Sequence, residues 1–263
     1  MSRAVTLGVL VWLVLLFGCA GTGADKPSAP SLPDDVYEEI LHHFSSGNYD
    51  LVKQYIQRTH DRGIRDKRLY FLTGVMAWQV QDYAQAETAF RQATELDPEY
   101  SDAHNNLGTL YLLSGDDAKA EESFRTALKN PLYRTPELAF NNLGKVLEKR
   151  GERQGAEQCY RRAISLKQNF PLAYYNLGLL LYQDGRFDDA RVCLEKTTTL
   201  SPRQVDAWWW YGMASVQLGD HEKAREAFSQ VLTMGQGTEW AEQASEQLQR
   251  LDDAGLPKAG TLH

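Results

Sequence analysis

Apolar residues recur along this chain with the period of a helix, and the helices themselves recur with a longer one. Between Pro171 and Pro202, Tyr174, Leu177 and Leu181 fall at i, i+3 and i+7, one face of a first helix. A turn at Asp184-Gly185 follows, then a second helix that stops before Pro202, because proline cannot donate the next backbone hydrogen bond. The layout then repeats. Gly74, Gly108, Gly144, Gly178 and Gly212 are 34, 36, 34 and 34 residues apart. Ala86, Ala120, Ala156, Ala190 and Ala224 step by the same intervals, and so do Ala93, Ala127, Ala163, Thr197 and Val231. Three columns that slip together by two residues at one place mark a repeated unit, not a bias of composition. Small residues in these columns, at unit positions 8, 20 and 27, let two helix backbones approach closely.

A period of 34 is the length of the tetratricopeptide unit, a helix-turn-helix that buries its apolar face only by stacking on its neighbours. The expected fold is all-α: a right-handed superhelical solenoid of about six such repeats with a C-terminal capping helix. The solenoid is expected over 34–251, with units at about 33–66, 67–100, 101–136, 137–170, 171–204 and 205–238. The first unit has Ile40 and Val52 where the others carry glycine and alanine, and reads as a divergent amino-terminal cap. Residues 238–251 read as the capping helix with a polar outer face, and 252–263 as a disordered tail. Within each unit, positions 4, 7 and 11 are expected to form the core face of the first helix. The 36-residue unit places its two extra residues in the loop LKNPLYRTPELAFNNL, between the third and fourth units.

The first 18 residues have one early arginine and an apolar run from Ala4 to Phe17, too short to span a bilayer comfortably and expected to be a secretory signal. The run ends in Leu16-Phe17-Gly18-Cys19, which resembles the bacterial lipobox, with Cys19 as the lipid attachment. By that resemblance Ala20 directs the protein to the outer membrane, facing the periplasm, and several acyl chains on one residue suit stable anchoring. Residues 19–33 form a lipidated flexible linker rich in Gly, Ser, Pro and Ala, reaching at most about 50 Å when extended. The solenoid is therefore expected to be tethered to a membrane, not pressed onto it.

The net charge of −7, with no Lys/Arg block, argues against nucleic acid as a partner. Three cysteines without a C-x-x-C pair and six scattered histidines give no metal-ligand spacing. Cys159 and Cys193 hold the same helix position in adjacent repeats, where neighbouring helices are about 8–10 Å apart. That is too far for a disulfide, so two free, buried thiols are expected. No nucleophile elbow, phosphate-cradling loop or H-E-x-x-H occurs, and the carboxylates fall on solvated faces. The chain is not expected to be an enzyme, to hold a cofactor or to act on a small molecule.

The expected activity is binding. First helices of tetratricopeptide units line the concave surface, and unit positions 2, 5, 6, 9, 12 and 13 point towards it. The candidate groove residues are Phe71, Trp78, Asn106, Asn142, Tyr175, Asn176, Tyr182, Trp209 and Trp210. In-register asparagines could hydrogen-bond the backbone of an extended peptide, or could serve the repeat itself. Position 9 holds Val75, Thr109, Lys145, Leu179 and Met213, so the asparagine of a clamp for a terminal carboxylate is missing. Successive helical residues differ by about 100°, so Trp208, Trp209 and Trp210 cannot share one buried face. Trp208 is assigned the core, leaving Trp209 and Trp210 to face the groove or to pack on the neighbouring unit; an indole in the groove would be an anchor for a partner.

Six units, a lipobox and the loop NPLYRTPELAFNNLG together resemble the type IV pilus biogenesis pilotin lipoprotein family (PilF, PilW and Tgl), over roughly residues 19–250. The resemblance implies that Pro131, Tyr133, Thr135 and Pro136 are the family loop. It implies an outer-membrane lipoprotein adaptor that binds the type IV pilus secretin and promotes its localisation and multimer assembly. The alternatives are a general periplasmic scaffold lipoprotein for peptidoglycan enzymes, and an accessory of an envelope or exopolysaccharide export complex.

Overall fold

The computed structural model describes residues 31–253; the signal sequence, Cys19, most of the linker and the tail beyond residue 253 lie outside this range. Among the described residues there are thirteen α-helices and no strand. Helices α1 (Asp34–Ser45) and α2 (Tyr49–Asp61) form one compact unit. The second unit holds five helix pairs: α3 (Lys67–Gln79) with α4 (Tyr83–Leu96), α5 (Ser101–Ser114) with α6 (Asp117–Ala127), α7 (Pro136–Lys149) with α8 (Arg153–Leu166), α9 (Pro171–Gln183) with α10 (Phe187–Leu200), and α11 (Val205–Gln217) with α12 (His221–Met234). Helix α13 (Glu239–Asp253) closes it.

Each of these five pairs is held by a large side chain laid over a glycine, a ring in four of them. A Cβ at Gly74 would lie 2.5 Å from the Phe90 ring, and one at Gly144 would lie 2.6 Å from that of Tyr160. Phe124 covers Gly108 and Phe228 covers Gly212 in the same way, while Leu194 takes this place over Gly178. The glycine is therefore required by the side chain sixteen residues later, which would otherwise collide with it.

The turns inside the pairs are equally regular. Gly115, Gly151, Gly185 and Gly219 adopt φ between 73° and 83°, where a side chain is strained. At the equivalent place in the first of these repeats stands Gln81, with φ 61°. Asp82, Asp116 and Asp220 then cap the second helices, each accepting from the backbone N–H three residues on.

The core face of the first helices differs from the expectation in one position. Positions 7 and 11 are largely buried, but position 4 (Tyr70, His104, Phe140, Tyr174, Trp208) is only half-buried. Position 3 (Leu69, Ala103, Ala139, Ala173, Ala207) and position 10 (Met76, Leu110, Val146, Leu180, Ala214) are buried throughout. These two are seven residues apart, two helical turns, and so continue the face of positions 7 and 11. Position 4 sits at its edge. Cys159 and Cys193 are free thiols, half-buried where full burial was expected.

Ion pairs join the repeat at 101–136 to that at 137–170, and 137–170 to 171–204. Arg150 pairs with Glu121, Lys149 with Asp117 at 2.7 Å, Arg153 with Asp184 at 2.5 Å and Arg186 with Glu157 at 2.8 Å. All are partly exposed, so each contributes well under ~1 kcal/mol.

The extra residues of the longer unit form a tied loop. Helix α6 stops early at Ala127. Asn130 donates from Nδ2 to the Glu99 carbonyl at 3.0 Å, and its Oδ1 accepts from the Leu132 N–H at 2.9 Å. The Tyr133 N–H closes a turn on the Asn130 carbonyl, and its ring is buried against Ala127, Leu128 and Ala139. Pro131 and Leu132 are left at the tip, Leu132 84% exposed.

Candidate functional site

Successive first helices touch one another, α5 with α7, α7 with α9 and α9 with α11, while no second helix meets the next second helix to a comparable degree. First helices therefore form the inner wall of this unit. Helix α13 packs on α12 and α11 as the next first helix would.

The wall exposes fewer positions than the sequence suggested. Positions 5 and 6 lie mainly between consecutive helices. Asn105, Asn141, Asn176, Leu72 and Trp209 are all at least nine-tenths buried. Positions 2, 9, 12 and 13 remain accessible to different degrees. The asparagines bond to each other. Asn176 Nδ2 donates to Asn141 Oδ1 at 2.8 Å, Asn141 to Asn142 Oδ1 at 3.4 Å, and Asn142 to Asn105 Oδ1 at 3.4 Å. Only the first is a strong bond by length; the others are long contacts in the same row. Asn106 turns to the Asp102 carbonyl of its own helix at 2.8 Å. The reason is burial: an amide enclosed between helices must find a partner, and the nearest is another amide.

The tryptophans correct the assignment made from the helical wheel. Trp209 takes the core and does not face the groove. Its ring centroid lies 5.4 Å from Phe228 and 5.8 Å from Trp240 of α13, and the residue is 8% exposed. Trp208 is half-buried, its indole N–H donating to the Pro202 carbonyl at 2.8 Å. Trp210 packs edge-on against Tyr182 at 5.1 Å, and Tyr182 also meets Phe187 at 5.3 Å.

The other candidates are dispersed. Phe71 is half-buried between Phe90 and Tyr100, and Trp78 stands edge-on to Tyr83 at 5.8 Å. Burial, then a hydrogen bond to Asp206, raises the Tyr175 pKa above the usual phenol value. In the loop, Tyr133 is pushed up to about 12 by burial, Thr135 and Pro136 are half-buried, and Pro131 is exposed. Tyr133 thus fastens the loop and presents no hydroxyl to a partner.

One recess on the inner wall includes only Asn176 of the residues singled out in the sequence. It is an open hollow of about 280 Å³ lined by Lys145, Glu148 and Lys149 of α7 with Asn176 and Leu179 of α9. Positions 9, 12 and 13 supply four of these five side chains, so the repeat numbering was a usable signal. Glu148 is engaged: its Oε2 accepts from the Tyr160 hydroxyl at 2.7 Å. Among the described residues, no three or more His, Cys, Asp or Glu side chains are grouped to hold a metal ion, and no helix is long and apolar enough to cross a membrane.

Models of the tetratricopeptide repeat match residues 71–133 and 182–238, and a second model of the same repeat matches 144–185, together more than half of the chain. The chain belongs to the tetratricopeptide repeat family. Its fold is a protein-interaction fold. The structure is similar to PilW, a widely conserved type IV pilus biogenesis factor, at TM-score 0.69 and 21% identity, over 80% of this chain and 96% of that one. It is similar to PilF of Pseudomonas aeruginosa at TM-score 0.74 and 16% identity, over 81% and 96%. Both are likenesses of fold. An uncharacterized protein of Haemophilus influenzae is 24% identical over 140 residues, 52% of this chain and 76% of that protein.

Proposed function

We propose that this protein is a lipid-anchored outer-membrane adaptor of type IV pilus biogenesis, a pilotin, that holds the pilus secretin and carries it to the outer membrane for multimer assembly. The observation that carries the reading is the fold likeness to PilW and PilF, which extends over nearly the whole of both of those chains. The lipobox ending in Cys19 and the tied loop at 130–136 support it from the sequence. In this reading Cys19 supplies the membrane address, and the inner wall of α3–α11 holds a segment of one secretin subunit.

The test compares outer membranes from cells with the gene, without it, and with Cys19→Ala, blotted for the detergent-resistant secretin multimer. The adaptor predicts loss of multimer in the deletion and monomeric or mislocalised secretin with Cys19→Ala. Unchanged multimers in both strains would overturn it.

A further inference from the structure

The recess between α7 and α9 has the attributes of a subsite for one residue. At about 280 Å³ it is at or below the smallest small-ligand pockets, which start near 300 Å³, yet it has room for one side chain and its backbone. Charges around it are mostly used. Lys149 is paired with Asp117 at 2.7 Å, and Glu148 accepts from Tyr160. Lys145 is different: it is exposed, and among the described residues no carboxylate pairs with it. Beside it, Asn176 spends its amide N–H on Asn141 while its Oδ1 accepts from no group among the described residues. Leu179 gives the hollow an apolar side.

We propose that this recess recognises an internal Asp or Glu of an extended partner segment, with Lys145 holding the carboxylate, Asn176 Oδ1 accepting a backbone N–H, and Leu179 packing an adjacent apolar side chain. The inference deepens the adaptor reading by naming what the wall selects, and it rests only on a peptide lying along that wall. An internal residue fits better than a chain end. The recess lies in mid-array, with α5 and α11 beyond it on either side, so a chain can run on in both directions. Position 9 also lacks the asparagine that a terminal-carboxylate clamp needs.

The test is selection of random dodecapeptides, displayed with their C-termini fused to a phage coat protein, on the full mature chain and on Lys145→Glu. The fusion removes any free terminal carboxylate. Wild type should enrich an Asp or Glu at one fixed place next to Leu, Ile or Phe. A selected peptide should bind about fivefold more tightly than its Glu→Gln form. Lys145→Arg should keep that preference and Lys145→Glu should abolish it, both with an unchanged melting curve. Failure to select any peptide, selection without acidic enrichment, or a Glu/Gln preference that survives Lys145→Glu would each overturn the proposal. No secretin is involved, so failure here leaves the adaptor reading to be decided by the multimer blot alone.

Discussion

The hydroxyl of Tyr160 donates to Glu148 Oε2 at 2.7 Å, joining a ring buried in the core of its repeat to a side chain on the inner wall. Burial first, and then Glu148, keep this phenol protonated far above ordinary pH. Phe90, Phe124 and Phe228 fill the corresponding place in three other repeats, so the ring belongs to the fold and the hydroxyl to the wall. Tyr160→Phe should therefore fold normally and lose about 1 kcal/mol of unfolding free energy in urea, the worth of one hydrogen bond. A loss above about 3 kcal/mol would mean that the hydroxyl has a larger structural role.

Gly108→Ala would place a Cβ 2.7 Å from the Phe124 ring. The expected loss is about 2–3 kcal/mol, because an enclosed ring cannot retreat. Leucine at this place gives no relief, since a Cβ at Gly178 would lie 2.8 Å from Leu194 Cγ; in a Phe124→Ala background, by contrast, Gly108→Ala should cost less. A double-mutant cycle with no coupling would contradict the close approach.

Gln81 holds φ 61° where four other turns have glycine. Gln81→Gly should raise stability by about 1 kcal/mol, since glycine adopts that backbone without strain. Calorimetric melting of the two proteins decides it; an unchanged or lower midpoint would mean that Gln81 contributes a compensating contact.

Trp209→Ala should damage the fold more than the groove. Removal of an indole enclosed by Phe228 and Trp240 is expected to cost about 3–5 kcal/mol and to loosen α13 first. Trp210→Ala, on a half-buried residue beside Tyr182, should cost less. Hydrogen exchange on α13 amides separates the two variants.

Acid should weaken the start of α3. A hydrogen bond from Lys67 holds the Asp97 carboxyl below its usual pKa; at Asp66 burial pushes upward, and the hydrogen bonds from Arg68 outweigh it. Both folded pKa values are depressed. Their stabilisation is therefore present above the unfolded carboxylate pKa near ~4 and is lost as pH falls through the folded values. Stability measured from pH 6 to pH 2 should fall less steeply in Lys67→Met than in wild type; identical slopes would dismiss the pair.

The repeat was legible because three columns carry it, and the glycine column has a steric cause: Gly144 must be small because Tyr160 lies over it. The exposed wall was less legible. A helical wheel gives the direction of Trp209 but not that Trp240, thirty-one residues on, returns to cover it. It places Asn142 and Asn176 in register but does not say that Asn176 will bond Asn141, one position away, so that two buried amides satisfy each other. Both failures concern neighbours supplied by another helix, which no single-helix pattern contains. The loop read correctly as an insertion, while its fastening by Asn130 to the Glu99 carbonyl depended on a contact across a whole repeat.

The ion pairs between repeats have a kinetic consequence. Lys149 with Asp117, Arg153 with Asp184 and Arg186 with Glu157 all join residues about one repeat apart. A chain whose partners are this near in sequence closes only short loops as it folds, and the order in which it closes them hardly matters. Any adjacent pair of repeats can serve as the nucleus, and growth can proceed from it towards either end.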